Sequence, residues 1–306
     1  MTAPQPLPTR EEIVEYVRAN RNWGRWGEDD ELGALNLITD AKRVAATRLV
    51  RTGRSLSLAR PYPRHPAPNN PTPAVMYMER FDRAPDAGGS KDYQAINYHG
   101  CTATHIDALC HTWDVDGMWN GRDPDQEITI DSARWGSIDR WKDGILTRGV
   151  LLDIPRFRGG RYVTQDTPVH GWELEAVARS QGVTIEPGDA IAVYCGREAS
   201  DREGPLWTAD PNNRPGLDAT CLKFFREADC STVLWDMWDI RPTPYNLPFP
   251  VHAVIFAFGV AVVDAALLEP LAAVCQGEGR YDFMLTVNPI NVVGGTGCLV
   301  NPVATF

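Results

Sequence analysis

Gly149-Val-Leu-Leu-Asp-Ile154, Asp189-Ala-Ile-Ala-Val-Tyr194 and Ser231-Thr-Val-Leu-Trp235 are the runs on which the fold turns. Each is short, rich in aliphatic and β-branched side chains, and lacks the polar alternation of a strand with one wet face. They read as strands buried on both sides. Between the first two, residues 172–181 have helical character and end at Gly182, a residue suited to a helix C-terminus. His170, just ahead of this segment, reads as a helix-entry residue. Between the second and third runs, residues 217–228 are again helix-like. Strand–helix alternation of this kind implies an α/β architecture.

Towards the N-terminus, residues 10–20 read as a helix that Trp23-Gly-Arg-Trp-Gly27 interrupts. Thr39-Asp40 can cap a second helix with apolar positions at Val44, Ala45 and Leu49. The prolines of residues 61–73 rule out regular structure there. This stretch reads as an ordered loop or flap, with His65 on the surface. With no repeat, heptad or low-complexity tract, the expectation is one domain over 1–306, opened by a helical and loop segment at about 1–75.

A chain of 306 residues can bury a substantial core, and 43% hydrophobic with 23% charged residues is an ordinary globular composition. The formal charge of −10 argues against a nucleic-acid partner, which needs a basic footprint. No run approaches the roughly 18–20 apolar residues of a membrane span, and the start Met-Thr-Ala-Pro-Gln-Pro lacks a signal-peptide core. Seven cysteines without framework spacing fit reduced thiols. The expectation is a soluble cytoplasmic protein with a small-molecule substrate and neither a nucleic-acid nor a membrane partner.

The chemistry is concentrated in Cys101-Thr-Ala-Thr-His-Ile-Asp-Ala-Leu-Cys-His111. His105 and Asp107, two apart, point to one side of an extended backbone and can grip one ion. A helical start after Asp107 would swing His111 back towards it. Of six histidines in the chain, three (His99, His105 and His111) fall in this neighbourhood. The reading is a metal site with a nearby proton carrier.

A second constellation is His252-Ala-Val-Ile-Phe-Ala-Phe-Gly-Val-Ala-Val-Val-Asp264. A helix from His252 to Gly259 climbs about 10 Å at roughly 1.5 Å per residue. A strand over 260–263 returns by about 13 Å at roughly 3.3 Å per residue. His252 and Asp264 can therefore finish at one level and form the opposite wall of the same pocket.

With both constellations in place, the chain resembles the cyclase superfamily of metal-dependent hydrolases, which includes kynurenine formamidase, isatin hydrolase and trans-dienelactone hydrolase. The likeness rests on Asn22-Trp-Gly-Arg-Trp-Gly27 with Asp30 and Leu32-Gly33, on residues 104–111 followed by Asp116-Gly117 and Asn120-Gly121, on Pro187-Gly-Asp189, on residues 252–264, and on Gly294-Gly-Thr-Gly297. It implies the family's swivelling β/β/α fold and a homo-oligomer. It implies a divalent metal, zinc or manganese, held at positions matching Cys101, His105, Asp107, His252 and Asp264, with His111 in proton transfer. The family has His where this chain has Cys101, and Glu where it has Asp264. A thiolate at Cys101 favours zinc over harder ions, and His99 is the alternative replacement for the missing ligand.

The chemistry implied is hydrolysis of a small amide or lactone. A bound cation lowers the pKa of its water and polarises the substrate oxygen, and His111 handles the proton. Trp23, Trp26, Trp113 and Trp119 are candidates to line a pocket for a flat, cyclic substrate. Two alternatives stand beside this reading. One is a lyase or true cyclase using the same pocket. The other is a non-catalytic binding member whose metal site has been dismantled.

Overall fold

The three apolar runs lie side by side in the computed structural model, which describes residues 6–83, 87–247 and 249–306. In chain order the strands are β1 (Ser55–Ser57), β2 (Val75–Arg83), β3 (Ala87–Ala95), β4 (His105–Asp107), β5 (Ile145–Asp153), β6 (Ala190–Tyr194), β7 (Thr232–Trp235), β8 (Ala261–Asp264), β9 (Asp282–Val287), β10 (Gly297–Leu299) and β11 (Val303–Thr305). Nine of them form one sheet in the order β1-β11-β9-β5-β6-β7-β8-β4-β10, while β2 and β3 pair only with each other. The centre, β5-β6-β7-β8, is parallel, and the flanks are antiparallel. This is the mixed α/β fold expected.

Every residue of β6, β7 and β8 is buried, which explains the absence of polar alternation. The two-residue period of the strands divides the core. Val150, Leu152, Ile191, Val193 and Val233 pack with Leu174, Val177, Leu222 and Val254 on one face. Leu151, Ala192, Leu234 and Val263 pack with Trp119, Leu271 and Val274 on the other.

Helices cover Arg10–Ala19, Asp40–Thr47 with Thr39 as its cap, and Gly171–Ser180 entered at His170, close to the expected bounds. The helix expected over 217–228 is shorter, Cys221–Glu227. Leu217 and Asp218 are held extended because their N–H groups donate to Trp238 O and Val169 O, and the Asp218 side chain accepts the Thr220 N–H. Residues 61–73 contain no helix or strand, and His65 is exposed, as read.

The helix Ala253–Phe258 ends at Gly259 in the left-handed region (φ +72°), and this turn sends the chain back along β8. A Cβ at Gly259 would meet the Trp119 ring at 2.9 Å, so only glycine fits the reversal. The N-terminal segment is fastened to the same helix. Asn22 Nδ2 donates to Phe258 O and Trp23 Nε1 to Phe256 O. Trp119 is fully buried, donates to Asp30 O and packs against Trp26. Trp23, Trp26 and Trp119 therefore pack the framework instead of lining a substrate pocket. Of the four candidates, Trp113 alone stays largely exposed, and it lines an apolar groove of about 350 Å³ with Phe249, Val14 and Val17. The seven cysteines are all free. Among the described residues no helix is long and apolar enough to cross a membrane.

Candidate metal centre

Strand β4 lies between β8 and β10, and its register builds the site. His105 is the direct partner of Asp264, and Asp107 is the partner of Gly297. Directly opposed residues share a face, and Asp107, two positions on from His105, shares it too. His105 Nε2 lies 3.5 Å from Asp107 Oδ1 and 3.7 Å from Asp264 Oδ2. One donor atom from each of the three lies within 4.8 Å of the others, and all three residues are buried. His105 Nδ1 is 2.8 Å from Ala103 O. A carbonyl only accepts, so Nδ1 carries the proton and the lone pair of Nε2 faces the two carboxylates, the orientation of a metal-ligating histidine.

Asp107 belongs to a second donor group with His99 and His111. His99 Nδ1 is 3.0 Å from Asp107 Oδ1, off the line of a hydrogen bond, and His111 Nε2 is 3.8 Å from Oδ2. The His99 and His111 rings stack at 4.1 Å, and His99 Nε2 is tied to Thr296 Oγ1 at 2.9 Å. No helix starts after Asp107. Instead His111 N–H donates to Ala108 O in a tight turn, which brings the ring back to Asp107. Gly297 permits the closeness of the strands here, since a Cβ would sit 2.2 Å from Ile106 O and 3.1 Å from His99 Cε1.

His252 joins the centre through Asp264, with Nε2 3.3 Å from Oδ2. Its Nδ1 is bonded to Asp239, whose other oxygen accepts the backbone N–H groups of Val251 and His252. Trp235 Nε1 donates to the remaining oxygen of Asp264. Cys101 is half-buried against the apolar cluster on the helix side of the sheet and belongs to neither donor group. It lies within electrostatic reach of the buried Arg197 and Arg214. Of the residues read from the sequence, His105, Asp107 and Asp264 converge directly, His252 is linked through Asp264, His111 approaches Asp107, and Cys101 stands apart. Asp239, Trp235, Thr296 and the Ala103 carbonyl carry no local motif. Asp239 follows closely after a buried strand, the one hint the sequence offers of it.

The charges are arranged around Asp107. Burial opposes its ionisation, but His111, His105 and His99 overcome that and hold the carboxyl well below the usual range. Burial depresses His111 to about 4, against the pull of Asp107, so its imidazole is neutral near pH 7. His252 goes the other way. Burial lowers it, but Asp239 and Asp264 together raise it well above the ordinary histidine value. Both Asp107 oxygens are buried without a hydrogen-bond donor, an expensive state for a carboxylate unless a cation meets it. The mixed imidazole and carboxylate donors fit a divalent ion.

The mixed α/β fold thus brings two distant His/Asp constellations together into groups that could hold a metal ion. The family described as Cyclase matches residues 41–242, and the chain belongs to it. A crystal structure of a novel cyclase is 29% identical, with a TM-score of 0.84 over 95% of this chain and 99% of that one. Isatin hydrolase A from Labrenzia aggregata, bound to benzyl benzoate, is 14% identical, with a TM-score of 0.57 over 87% of this chain and 98% of that one. A predicted metal-dependent hydrolase from Bacillus stearothermophilus is 14% identical, with a TM-score of 0.50 over 82% and 97%. The comparison with curated proteins finds no match.

Proposed function

We propose that this protein is a metal-dependent hydrolase of a small, cyclic or aromatic amide or lactone. The observation that carries the reading is Asp107, a fully buried carboxylate with no hydrogen-bond donor, shared by two groups of histidine and carboxylate donors. His105, Asp107 and Asp264 would hold the ion, with His252 beside them, and zinc and manganese both suit these donors. A bound divalent cation supplies a water of lowered pKa and polarises a carbonyl oxygen.

The chain's own residues do the rest. His111 is neutral and partly exposed, so it can take a proton from water and return it to a leaving amine or alkoxide. Asp107 attracts that proton and stabilises the imidazolium. Asp239 fixes the His252 ring, and Trp235 fixes Asp264. The groove lined by Trp113 and Phe249 approaches the centre where Phe249 packs edge-on to His252, and its apolar walls suit a flat substrate. The likeness of the fold to isatin hydrolase A is in keeping with this substrate class.

Metal analysis of the purified protein, followed by assays on N-formylkynurenine, isatin and lactones in ¹⁸O-labelled water, tests the reading. Label in the product identifies a hydrolase. Turnover without label identifies the lyase or cyclase alternative, and absence of both metal and turnover overturns the proposal.

A further inference from the structure

The C-terminal ends of β6 and β7 carry a second polar cluster, to which the hydrolytic chemistry assigns no task. Trp235 ends β7 and holds Asp264, and the next residue, Asp236, accepts the backbone N–H groups of Cys195, Gly196 and Arg197. Gly196 lies in the left-handed region (φ +88°), where a Cβ would meet Arg161 O at 2.5 Å. The turn after β6 is thereby fixed, and with it the root of the Arg197 side chain. Arg197 is only 2% exposed, and its guanidinium lies over the Trp207 ring at 4.6 Å. Trp207 meets Trp238 edge-on at 5.3 Å, and Arg214 lies over Trp238 at 5.3 Å. Trp238 in turn meets the His252 ring edge-on at 5.9 Å, so the cluster stands one ring away from the metal centre.

Its donors exceed its acceptors. Among the described residues Arg197 Nε and Nη1 and Trp238 Nε1 are buried without a hydrogen-bond partner. The carboxylates nearby are engaged elsewhere. Glu198 pairs with Arg60 at 2.6 Å, Asp236 holds its three N–H groups, and Asp239 holds His252. Asp201 comes within 3.5 Å of Arg197 Nε without a hydrogen bond, and its other oxygen accepts the Trp207 N–H. Arg214 donates Nε and Nη1 to the carbonyls of Asp239 and Pro211, and among the described residues it makes no ion pair. Burial pushes the Arg197 guanidinium down to about 10, and Arg60 adds to the effect against the pull of Asp201 and Glu198. It stays a cation near pH 7. Buried donors without acceptors are disfavoured unless a ligand supplies the acceptors.

We infer that this cluster is a subsite for a carboxylate carried by the substrate, with Arg197 and Trp238 Nε1 donating to its oxygens and Arg214 adding positive charge. The inference rests on the hydrolase reading and narrows its substrate class to an amide or lactone that bears a carboxylate. An ionised carboxylate is acceptor-only, and its planar pair of oxygens matches a guanidinium. A neutral ring would leave all three donors unmet, the situation in which a polar site rejects an analogue. Position agrees with chemistry. His252 is flanked edge-on by Trp238 of the cluster and by Phe249 of the apolar groove, so subsite and groove meet beside the metal centre. Trp238 is only partly buried, as is Cys101 within electrostatic reach of both arginines, so the cluster is not sealed from solvent.

The test is a tryptophan-fluorescence titration of chelator-stripped protein with benzoate and with benzamide, its neutral analogue of nearly the same shape. Without metal, only the protein's own donors can favour the anion. The wild type is expected to bind benzoate at least ~10-fold more tightly than benzamide. Arg197→Met and Trp238→Phe, with circular dichroism to check the fold, should each lose most of that preference. A wild type that binds the two equally, or a folded Arg197→Met variant that keeps the preference, overturns the inference. Should Arg197→Met not fold, Trp238→Phe, which keeps an aromatic ring, decides in the same way. Failure of the hydrolase reading looks different: no turnover of any amide or lactone by the metal-loaded protein, with the benzoate preference intact.

Discussion

His105 and Asp264 face one another across paired strands and are almost wholly buried, whereas His99 and His111 reach the same Asp107 from loops and keep about a quarter of their side chains exposed (23% and 24%). The first pair is positioned by a backbone ladder and cannot shift without moving a strand. The second pair is positioned by a turn, a stack and one hydroxyl, and water can reach it. A rigid, dry set of donors suits holding an ion, and a more accessible imidazole suits moving protons. The contrast lies above all in which elements deliver the side chains, paired strands for one and loops for the other.

Asp107 is common to both groups, so its loss has the largest expected effect. Asp107→Ala should remove both metal and turnover, and full metal occupancy by elemental analysis in that variant would break the assignment. Next in size is His111→Asn, expected to keep metal and fold but lose on the order of 10²–10⁴ in turnover at neutral pH. Were His111 only a packing residue, thermal stability would drop while turnover per folded molecule stayed the same.

Asp239→Asn probes the strand-held side more gently. Weakening a partner that orients a ligand typically costs about 10–100-fold in metal affinity, so a competition titration against a chelator should show a loss in that range. Unchanged affinity would detach His252 from the centre. Cys101→Ser should leave metal content unchanged because the thiol lies outside both donor groups, and loss of zinc would restore it as a ligand.

The smallest effect is one of slope. His111 is depressed to about 4 in the folded chain, against an ordinary value near 6.5. Between these pH values the unfolded chain binds more protons, so this contribution is present above about 6.5 and is lost as pH falls towards 4. The metal-free wild type should therefore lose thermal stability more steeply over that window than His111→Asn. Parallel melting curves would show that His111 is not held neutral.

The central strands were legible because burial on both faces leaves continuous apolar runs, as in residues 189–194. His105 and Asp107 were legible because a two-residue spacing has one meaning in a strand. His252 and Asp264 could be brought level by adding the rise of a helix to that of a strand. What was hidden depends on distant contacts. Nothing local reveals that β4 inserts between β8 and β10, or that Asp239 grips His252. The return of His111 was anticipated, but by a helix, because the Ala108 carbonyl that closes the turn has no sequence signature. Cys101 precedes the strand where the chain bends, so its four-residue spacing from His105 says nothing about a shared face. Trp23 and Trp119 are drawn into the framework because their indole N–H groups donate to backbone carbonyls there, a pairing with no sequence signature.

The direct pairing of His105 with Asp264 has a consequence for how such a chain can diverge. Each strand is only a few residues long, and adding or deleting one residue within either would turn its side chains to the opposite face. A point substitution at the centre removes one side chain, but a one-codon insertion or deletion inside β4 or β8 would scatter the donors at once. The loops that join the intervening strands carry no such constraint, provided β5, β6 and β7 keep their own register. Length variation among descendants of this chain should therefore accumulate in the loops, such as the strand-free stretch 61–73, and be almost absent from the two short segments that face each other.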